Sequence, residues 1–171
     1  EEVAPGVRGE LVVRASAPWT VTPGYFGMPE QTVAAWRNGW FHTGDAFRTD
    51  EDGWYYFVDR LRDTIRRRGE NISSFEVETL VAEHEEVLEC AAIGVPAVHG
   101  EDDVLVAVIV RDPSAFDPAA LVEFLEPRMP RFMVPRYVEV VDDLPRTEAS
   151  MRVRKHELRA RGVPEGTYDR E

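Results

Sequence analysis

The sequence is poor in cysteine and in positive charge. Among 171 residues it has one cysteine, and 20 basic against 32 acidic side chains, giving a formal net charge of -12 at pH 7. The single thiol, Cys90, excludes a disulfide within the chain, and its apolar neighbours favour a buried structural role. The acidic excess repels phosphate backbones and anionic lipid, which argues against non-specific nucleic-acid or membrane-surface binding.

Long apolar runs and metal-binding patterns are also missing. No run approaches the roughly 18 apolar residues that predict a membrane-spanning helix. The opening residues EEVAPG lack the basic-then-apolar order of a secretory signal, so we expect a cytoplasmic protein without a membrane span. Surface or capping roles are expected for the histidines, which are not spaced as metal ligands: His42, His84, His99 and His156.

The pattern of apolar and turn-forming residues changes between Asp59 and Asp63. Before this boundary we expect many aromatic side chains but little regular structure, with a strand over 9–14, a short helix over 29–36 and an aromatic strand over 54–58. Residues 1–59 are therefore expected to be the β-rich end of a larger amino-terminal domain.

Strands and helices alternate in residues 60–171. Strands are predicted near 64–67, 88–95, 104–110 and 137–141, and helices over 74–83, 118–125 and 155–161. Ser73 or Ser74 suits the start of the first helix, Pro118 the first turn of the second, and Gly162 the end of the third. The predicted fold class is α/β (α+β), a small mixed sheet covered by helices.

Three segments carry chemistry: GWFHTGD at 39–45, DRLRDTI at 59–65 and GENISSFEVE at 69–78. Asp45 follows a glycine that permits close approach of a ligand, and a carboxylate can accept hydrogen bonds from both hydroxyls of a vicinal diol. Arginines fill five of the nine positions 60–68, and guanidinium groups match phosphate geometry. For Arg66–Arg68, pairing with acidic side chains on a solvated strand face is an equal alternative.

The order and spacing of these segments resemble the adenylate-forming acyl-CoA synthetase superfamily. The resemblance runs from about Gly9 to Arg159 and matches the carboxy-terminal third of such an enzyme. No glycine- and serine/threonine-rich loop ending in lysine, which would hold ATP phosphates, occurs upstream. The resemblance implies that residues 60–171 are a mobile lid domain and that the rest of the large domain, beyond its end in residues 1–59, lies outside this sequence.

The resemblance also implies roles for particular residues. Asp45 would hold the adenosine ribose, Arg60 would contact the ribose or phosphate, and Arg62 would be the hinge, where the family usually has Asp or Lys. The segment Gly69-Glu70-Asn71 would face the acyl-adenylate and line the channel for the pantetheine of CoA. The segment GENIS at 69–73 especially resembles the corresponding segment of carnitine and crotonobetaine CoA ligases.

One segment departs from the family pattern of Pro-Lys/Arg-Thr, two variable residues and Gly-Lys. Its lysine would stabilise the charge that develops during adenylation. Counting back from Lys155 puts Arg152 in the lysine position, with one residue inserted upstream, whereas counting forward from Pro145 puts Met151 there. We expect weakened adenylation, or a relocated catalytic role for Arg152 or Lys155.

The leading hypothesis is the carboxy-terminal fragment of an ATP-dependent, AMP-forming acyl-CoA ligase, inactive alone. Its substrates would be a carboxylate, ATP and CoA, with Mg²⁺ accompanying ATP on ligands outside this fragment. One alternative is an adenylation domain that loads a carrier protein. Another treats 60–171 as a non-catalytic binding or interaction module, which loss of the lysine favours and retention of Asp45, Arg60 and Gly69 opposes.

Overall fold

The computed structural model describes residues 2–97, 100–148 and 150–171. Over these residues the chain forms two compact units, Glu1–Arg62 and Asp63–Glu171. His99, expected on the surface, lies outside the described residues. In the described part, no helix is long and apolar enough to cross a membrane.

A long central strand organises the first unit. Its elements are β1 (Gly9–Val13), α1 (Pro29–Ala35), β2 (Trp36–Arg37), β3 (Trp40–Thr49) and β4 (Tyr55–Arg60), followed by a 3₁₀ turn, Leu61–Asp63. β3 pairs antiparallel with β1 along one edge and with β2 and β4 along the other. Asp50 closes the turn between β3 and β4, because its carboxylate accepts hydrogen bonds from Trp54 N and Tyr56 OH.

The expectation of little regular structure before Asp59 was wrong, because it missed β3. Gly39 and Gly44 read as breakers in the sequence, and both have positive φ, +74° and +73°. The strand nevertheless continues, since β1 and β4 supply hydrogen-bond partners along it. Strand β4 begins one residue later than predicted and ends at Arg60.

The second unit is a mixed sheet with helices, as predicted. It contains β5 (Ile65–Arg67), β6 (Glu70–Ile72), α2 (Ser74–Val81), β7 (Val87–Pro96), β8 (Asp102–Val110), α3 (Pro118–Leu125), β9 (Tyr137–Val140), α4 (Lys155–Arg161) and β10 (Tyr168–Asp169). The sheet order is β10-β9-β8-β7, and β5 and β6 form a separate hairpin. β8 and β9 are parallel, whereas β7 with β8 and β9 with β10 are antiparallel.

Strand β8 is buried on both faces because helices cover the sheet from both sides. Val104, Val106 and Val108 share a core with residues of α2 and α3, including Val77 and Leu121. The alternate residues Leu105 and Ala107 pack in a second core with Leu144 and with Leu158 of α4. Each fully buried Val or Leu stabilises the fold by about 1.5–3 kcal/mol. The apolar run in the sequence therefore reports a central strand.

The helix ends follow the sequence signals. Ser73 rather than Ser74 caps α2, because its hydroxyl accepts the amide hydrogen of Glu76. Asp117 caps α3 by accepting from Ala119 N at 2.9 Å, and Pro118 occupies the first turn. Gly162 ends α4 with φ of +68°.

A buried ion pair joins β5 to β8. The Arg67 side chain is 3% exposed, and its Nη2 lies 3.0 Å from Asp103 Oδ1. Its Nη1 donates to the carbonyl oxygens of Phe132 and Val134. Asp103 Oδ2 also lies 3.0 Å from Arg136 Nη1. Burial lowers the pKa of Arg67, while the carboxylate of Asp103 opposes that shift.

We expect Asp103→Asn to lower the free energy of unfolding of the second unit by about 3–5 kcal/mol, because it leaves the buried Arg67 without its anion. The matched control is Asp169→Asn, which removes a more exposed carboxylate paired with Arg136. That change should cost about 0–1 kcal/mol, as surface ion pairs do. Equal losses for the two variants would contradict this assignment.

The free energy of unfolding of the second unit can be measured through the reactivity of Cys90. All four tryptophans lie in the first unit, at 19, 36, 40 and 54, so their fluorescence does not report the second. Burial raises the pKa of the Cys90 thiol to about 12, so a thiol reagent near pH 8 should label the folded protein slowly and the unfolded chain fast. The urea dependence of labelling therefore gives the stability of the second unit.

Candidate functional site

Asp45 and Arg60 face each other on β3 and β4. They are partners in the strand register, and Asp45 Oδ1 lies 3.4 Å from Arg60 Nε. This carboxylate oxygen is buried and receives no hydrogen bond from the residues that the structure describes. A buried acceptor without a donor is costly unless a ligand supplies one. The pair thus offers an acceptor and a cation side by side.

A bulge in β3 directs Asp45. Between the pairs Val12–His42 and Glu10–Ala46, Leu11 alone stands opposite residues 43–45. Gly44 permits the bulge because its φ is +73°. A side chain at this position would have space, but its backbone would be strained at this φ. Thr43 Oγ1 donates to Leu11 O at 2.7 Å and accepts the amide hydrogen of Asp45 at 3.1 Å.

The sequence reasoning missed Glu10, which contacts the same bulge from β1. Its Oε1 accepts from Gly44 N at 3.2 Å, and its Oε2 lies 2.7 Å from His42 Nδ1. No local sequence signal joins these residues, because they are more than 30 positions apart. Only the pairing of β1 with β3 brings them together.

Glu70 and Asn71 belong to β6, and a turn precedes this strand. The turn is formed by Arg68 and Gly69, whose φ values of +53° and +82° match a tight two-residue hairpin. Gly69 N donates to Glu101 Oε2 at 2.8 Å, so this amide is already used by a carboxylate of the chain.

Arg66 and Arg67 both pair with acidic residues, but the expected solvated face holds only for Arg66, because Arg67 is buried. Arg66 Nε lies 3.7 Å from Glu101 Oε1, and its Nη1 donates to Asn71 Oδ1 at 2.9 Å. Arg67 is held by Asp103 in the core. Both contacts explain these arginines without a phosphate ligand.

The Lys155 ammonium is engaged inside the second unit. Its Nζ lies 2.6 Å from Glu78 Oε1 and donates to Ser74 Oγ at 2.7 Å. Glu78 Oε1 also accepts from Ala92 N at 2.8 Å. The lysine thereby connects the start of α4 to α2 and, through Glu78, to β7.

Arg152 lies exposed beside a strained residue. The loop is closed by the bridge between Arg146 and Val153, and Thr147 N donates to Arg152 O at 2.9 Å. Met151 has φ of +54°, a conformation that glycine adopts without strain. Since the family pattern has glycine directly before its lysine, this backbone supports counting back from Lys155, which puts Arg152 in the lysine position. The neighbouring Ala149 lies outside the described residues.

The remaining predicted residue, Arg62, is exposed in the 3₁₀ turn and is the last residue of the first unit. The next residue, Asp63, accepts a hydrogen bond from Arg159 Nη2 at 2.7 Å. Over the described ranges, no group of His, Cys, Asp or Glu could hold a metal ion.

We expect Met151→Gly to raise the free energy of unfolding of the second unit by about 0.5–1 kcal/mol, because it removes left-handed strain and offsets the greater flexibility of glycine in the unfolded chain. Met151→Ala is the matched control, since it keeps the strain and should leave stability unchanged. Cys90 labelling in urea measures both. A loss of stability on Met151→Gly would contradict the strained conformation.

Comparison with known proteins gives consistent matches. The AMP-binding enzyme C-terminal domain family matches residues 76–150. Feruloyl-CoA synthase of an Amycolatopsis species is 42% identical over 161 residues, covering 94% of this chain and 32% of that protein. A crotonobetaine/carnitine–CoA ligase of a Proteus species is 36% identical over 157 residues, covering 91% of this chain and 30% of that protein.

Solved structures agree. ATP-bound MatB from Rhodopseudomonas palustris superimposes with a TM-score of 0.80 at 32% identity, covering 94% of this chain and 31% of that one. The amide bond synthetase McbA from Marinactinospora thermotolerans gives 0.78 at 34% identity, with 94% and 32% covered. The chain thus spans about a third of the length of these proteins. Over most of its length the chain is similar to the carboxy-terminal portion of adenylate-forming acyl-CoA synthetases.

Proposed function

We propose that this chain is the carboxy-terminal part of a longer ATP-dependent, AMP-forming acid–CoA ligase, called here the full-length protein. Residues 1–59 then end its large domain, and residues 60–171 form its mobile lid. The relatives named as CoA ligases, and the fraction of their length that the chain spans, support this proposal. ATP and CoA are cytoplasmic metabolites, so the same proposal assigns the protein to the cytoplasm.

The proposed reaction has two steps. A carboxylate oxygen of the substrate attacks the α-phosphorus of ATP, and pyrophosphate leaves, which yields an acyl-adenylate. The sulfur of CoA then attacks the acyl carbon, its thiol proton is lost, and AMP leaves with the former carboxylate oxygen. AMP is a far better leaving group than hydroxide. A lid that swings about Arg62 would supply different neighbours to the two steps.

The observation that carries the proposal is the buried Oδ1 of Asp45, which receives no hydrogen bond from the described residues and lies 3.4 Å from Arg60 Nε. A ribose diol would supply the donors that this oxygen lacks, as sugars do for acidic residues in other nucleotide sites. Arg60 is then suited to the ribose or to the phosphate beside it.

Arg152 is the cation we assign to the charge that develops during adenylation, because it is exposed and follows the left-handed Met151. Its planar fork differs from an ammonium, so weaker adenylation is part of the proposal. Lys155 was the other candidate, but its contacts with Glu78 and Ser74 favour holding α2 in place.

The hairpin of Gly69, Glu70 and Asn71 is assigned to the CoA channel. The amide of Gly69 already donates to Glu101. We therefore expect Glu70 and Asn71 to contact CoA through their exposed side chains and strand edge, and not through a group of free backbone amides. Mg²⁺ would accompany ATP. Among the described residues no group of side chains could bind it, so its ligands would belong to the rest of the full-length protein.

A different acceptor is the second candidate. The similarity to an amide bond synthetase favours an amine in place of the CoA thiol in the second step. The first step and the roles of Asp45, Arg60 and Arg152 are the same in both candidates. Supplying the acyl-adenylate with CoA or with an amine separates them.

Asp45→Ala in the full-length protein should lower kcat/KM for ATP by about 10–100-fold, the loss expected for hydrogen bonds to a charged acceptor. Carboxylate-dependent exchange of pyrophosphate into ATP measures the first step alone. The 171-residue chain by itself should show no exchange and form no acyl-CoA. Activity of that chain, or an unchanged Asp45→Ala variant, would contradict the proposal.

Arg152→Ala should slow pyrophosphate exchange by about 10²-fold, the cost of removing one donor aimed at developing charge. Arg152→Lys should match or exceed the rate of the unmodified protein because it supplies an ammonium, and His156→Ala, a change of an exposed residue on α4, should leave the rate unchanged. Transfer from a preformed acyl-adenylate to CoA should be much less affected. Full exchange activity in Arg152→Ala would exclude this role.

A further inference from the structure

Glu10 on β1 holds the β3 bulge from the opposite strand. Its Oε1 accepts the amide hydrogen of Gly44 at 3.2 Å, and its Oε2 lies 2.7 Å from His42 Nδ1. The same Nδ1 lies 3.0 Å from Arg37 Nη2, so the ring contacts the carboxylate and the guanidinium through one nitrogen. One side chain thereby fixes the residues on both sides of Thr43.

The bulge needs such contacts because it interrupts the strand ladder. Along β1 only Leu11 faces residues 43–45, while on the other edge of β3 Asp45 is paired with Arg60 of β4. Thr43 Oγ1 takes the amide of Asp45, and Glu10 takes the amide of Gly44. Gly44 has φ of +73° and no side chain, so nothing of its own restricts it. Glu10 is the restraint that acts on it from another strand.

The charge of Glu10 is offset locally. His42 Nδ1 lies 2.7 Å from Glu10 Oε2, and Arg37 Nη2 lies 3.8 Å from the same oxygen. The Glu10 side chain is 22% exposed, so these contacts are partly shielded from solvent. Its two oxygens have separate tasks, one toward the histidine and one toward the glycine amide.

We propose that Glu10 is a positioning residue for nucleotide binding, which acts through Asp45 by fixing the backbone at Gly44. The inference rests on the proposed function, because it gives the adenosine ribose as the ligand of Asp45. Glu10 itself touches no substrate. A displacement of about 1 Å in a binding group is enough to change kinetics strongly.

The first experiment measures amide hydrogen exchange in the 171-residue chain by NMR. Glu10→Ala should speed exchange at Gly44 by about tenfold or more, since local opening then lacks a restraint. The control is Asp50→Ala, which frees Trp54 N at the far end of β3 and should speed exchange there but not at Gly44. Unchanged exchange at Gly44 in Glu10→Ala would overturn the proposal.

The second experiment measures kinetics of the full-length protein. Glu10→Ala should raise KM for ATP by about tenfold, while KM for the carboxylate and for CoA stays unchanged. Glu10→Gln keeps the shape and one acceptor oxygen, so its KM for ATP should lie between the two. Asp50→Ala should behave as the unmodified protein. If Glu10→Ala does not fold, the Glu10→Gln variant carries the test.

The double variant Glu10→Ala/Asp45→Ala separates the positioning role of Glu10 from the proposed role of Asp45. If Glu10 acts through Asp45, adding Glu10→Ala to Asp45→Ala should cause no further loss. A full additional loss would overturn positioning while leaving the role of Asp45 intact. If Asp45→Ala alone has no effect on KM for ATP, the proposed function fails, whatever the exchange at Gly44 shows.

Discussion

The bulge of β3 at Thr43–Asp45 is the constraint on which the candidate site depends. A regular strand would alternate its side chains and keep the amides of these residues in the ladder. Instead Leu11 stands alone opposite them, and side chains replace the missing backbone partners. Asp45, at the end of this bulge, has one buried carboxylate oxygen beside Arg60 of β4.

The second unit is stabilised differently. Strand β8 is packed on both faces, and the buried pair of Arg67 and Asp103 ties the β5–β6 hairpin to it. Lys155 connects α4 to α2 by a similar charged contact. These contacts hold the Gly69 hairpin and the Arg152 loop on a rigid sheet, which suits residues that must meet a ligand in a fixed geometry.

Much of the second unit follows from local sequence signals. The apolar run over 104–110 predicts a central strand, and Pro118 and Gly162 mark the ends of helices that the structure contains. Strand β3 was missed because Gly44 within it and Gly39 just before it resemble breakers, and β10, at Tyr168–Asp169, is too short to show a pattern. Pairing with neighbours overrides local preference in both.

The candidate site divides in the same way. Asp45 and Arg60 follow from motifs, since each lies in a short segment with recognisable spacing. Glu10, Glu78 and Glu101 do not, because their contacts to Gly44, Lys155 and Gly69 join residues distant in sequence. Whether Met151 or Arg152 takes the position of the family's lysine depends on the φ of Met151, which the sequence alone does not determine.

The most direct test of the central claim pairs a change in the protein with a change in the nucleotide. Pyrophosphate exchange by the full-length protein is measured with ATP, 2′-deoxy-ATP and 3′-deoxy-ATP, with Asp45 intact and with Asp45→Ala. If Asp45 accepts from the ribose, losing a hydroxyl should cost about 1–3 kcal/mol with Asp45 intact and almost nothing in Asp45→Ala. Equal losses in both proteins would contradict a ribose contact at Asp45.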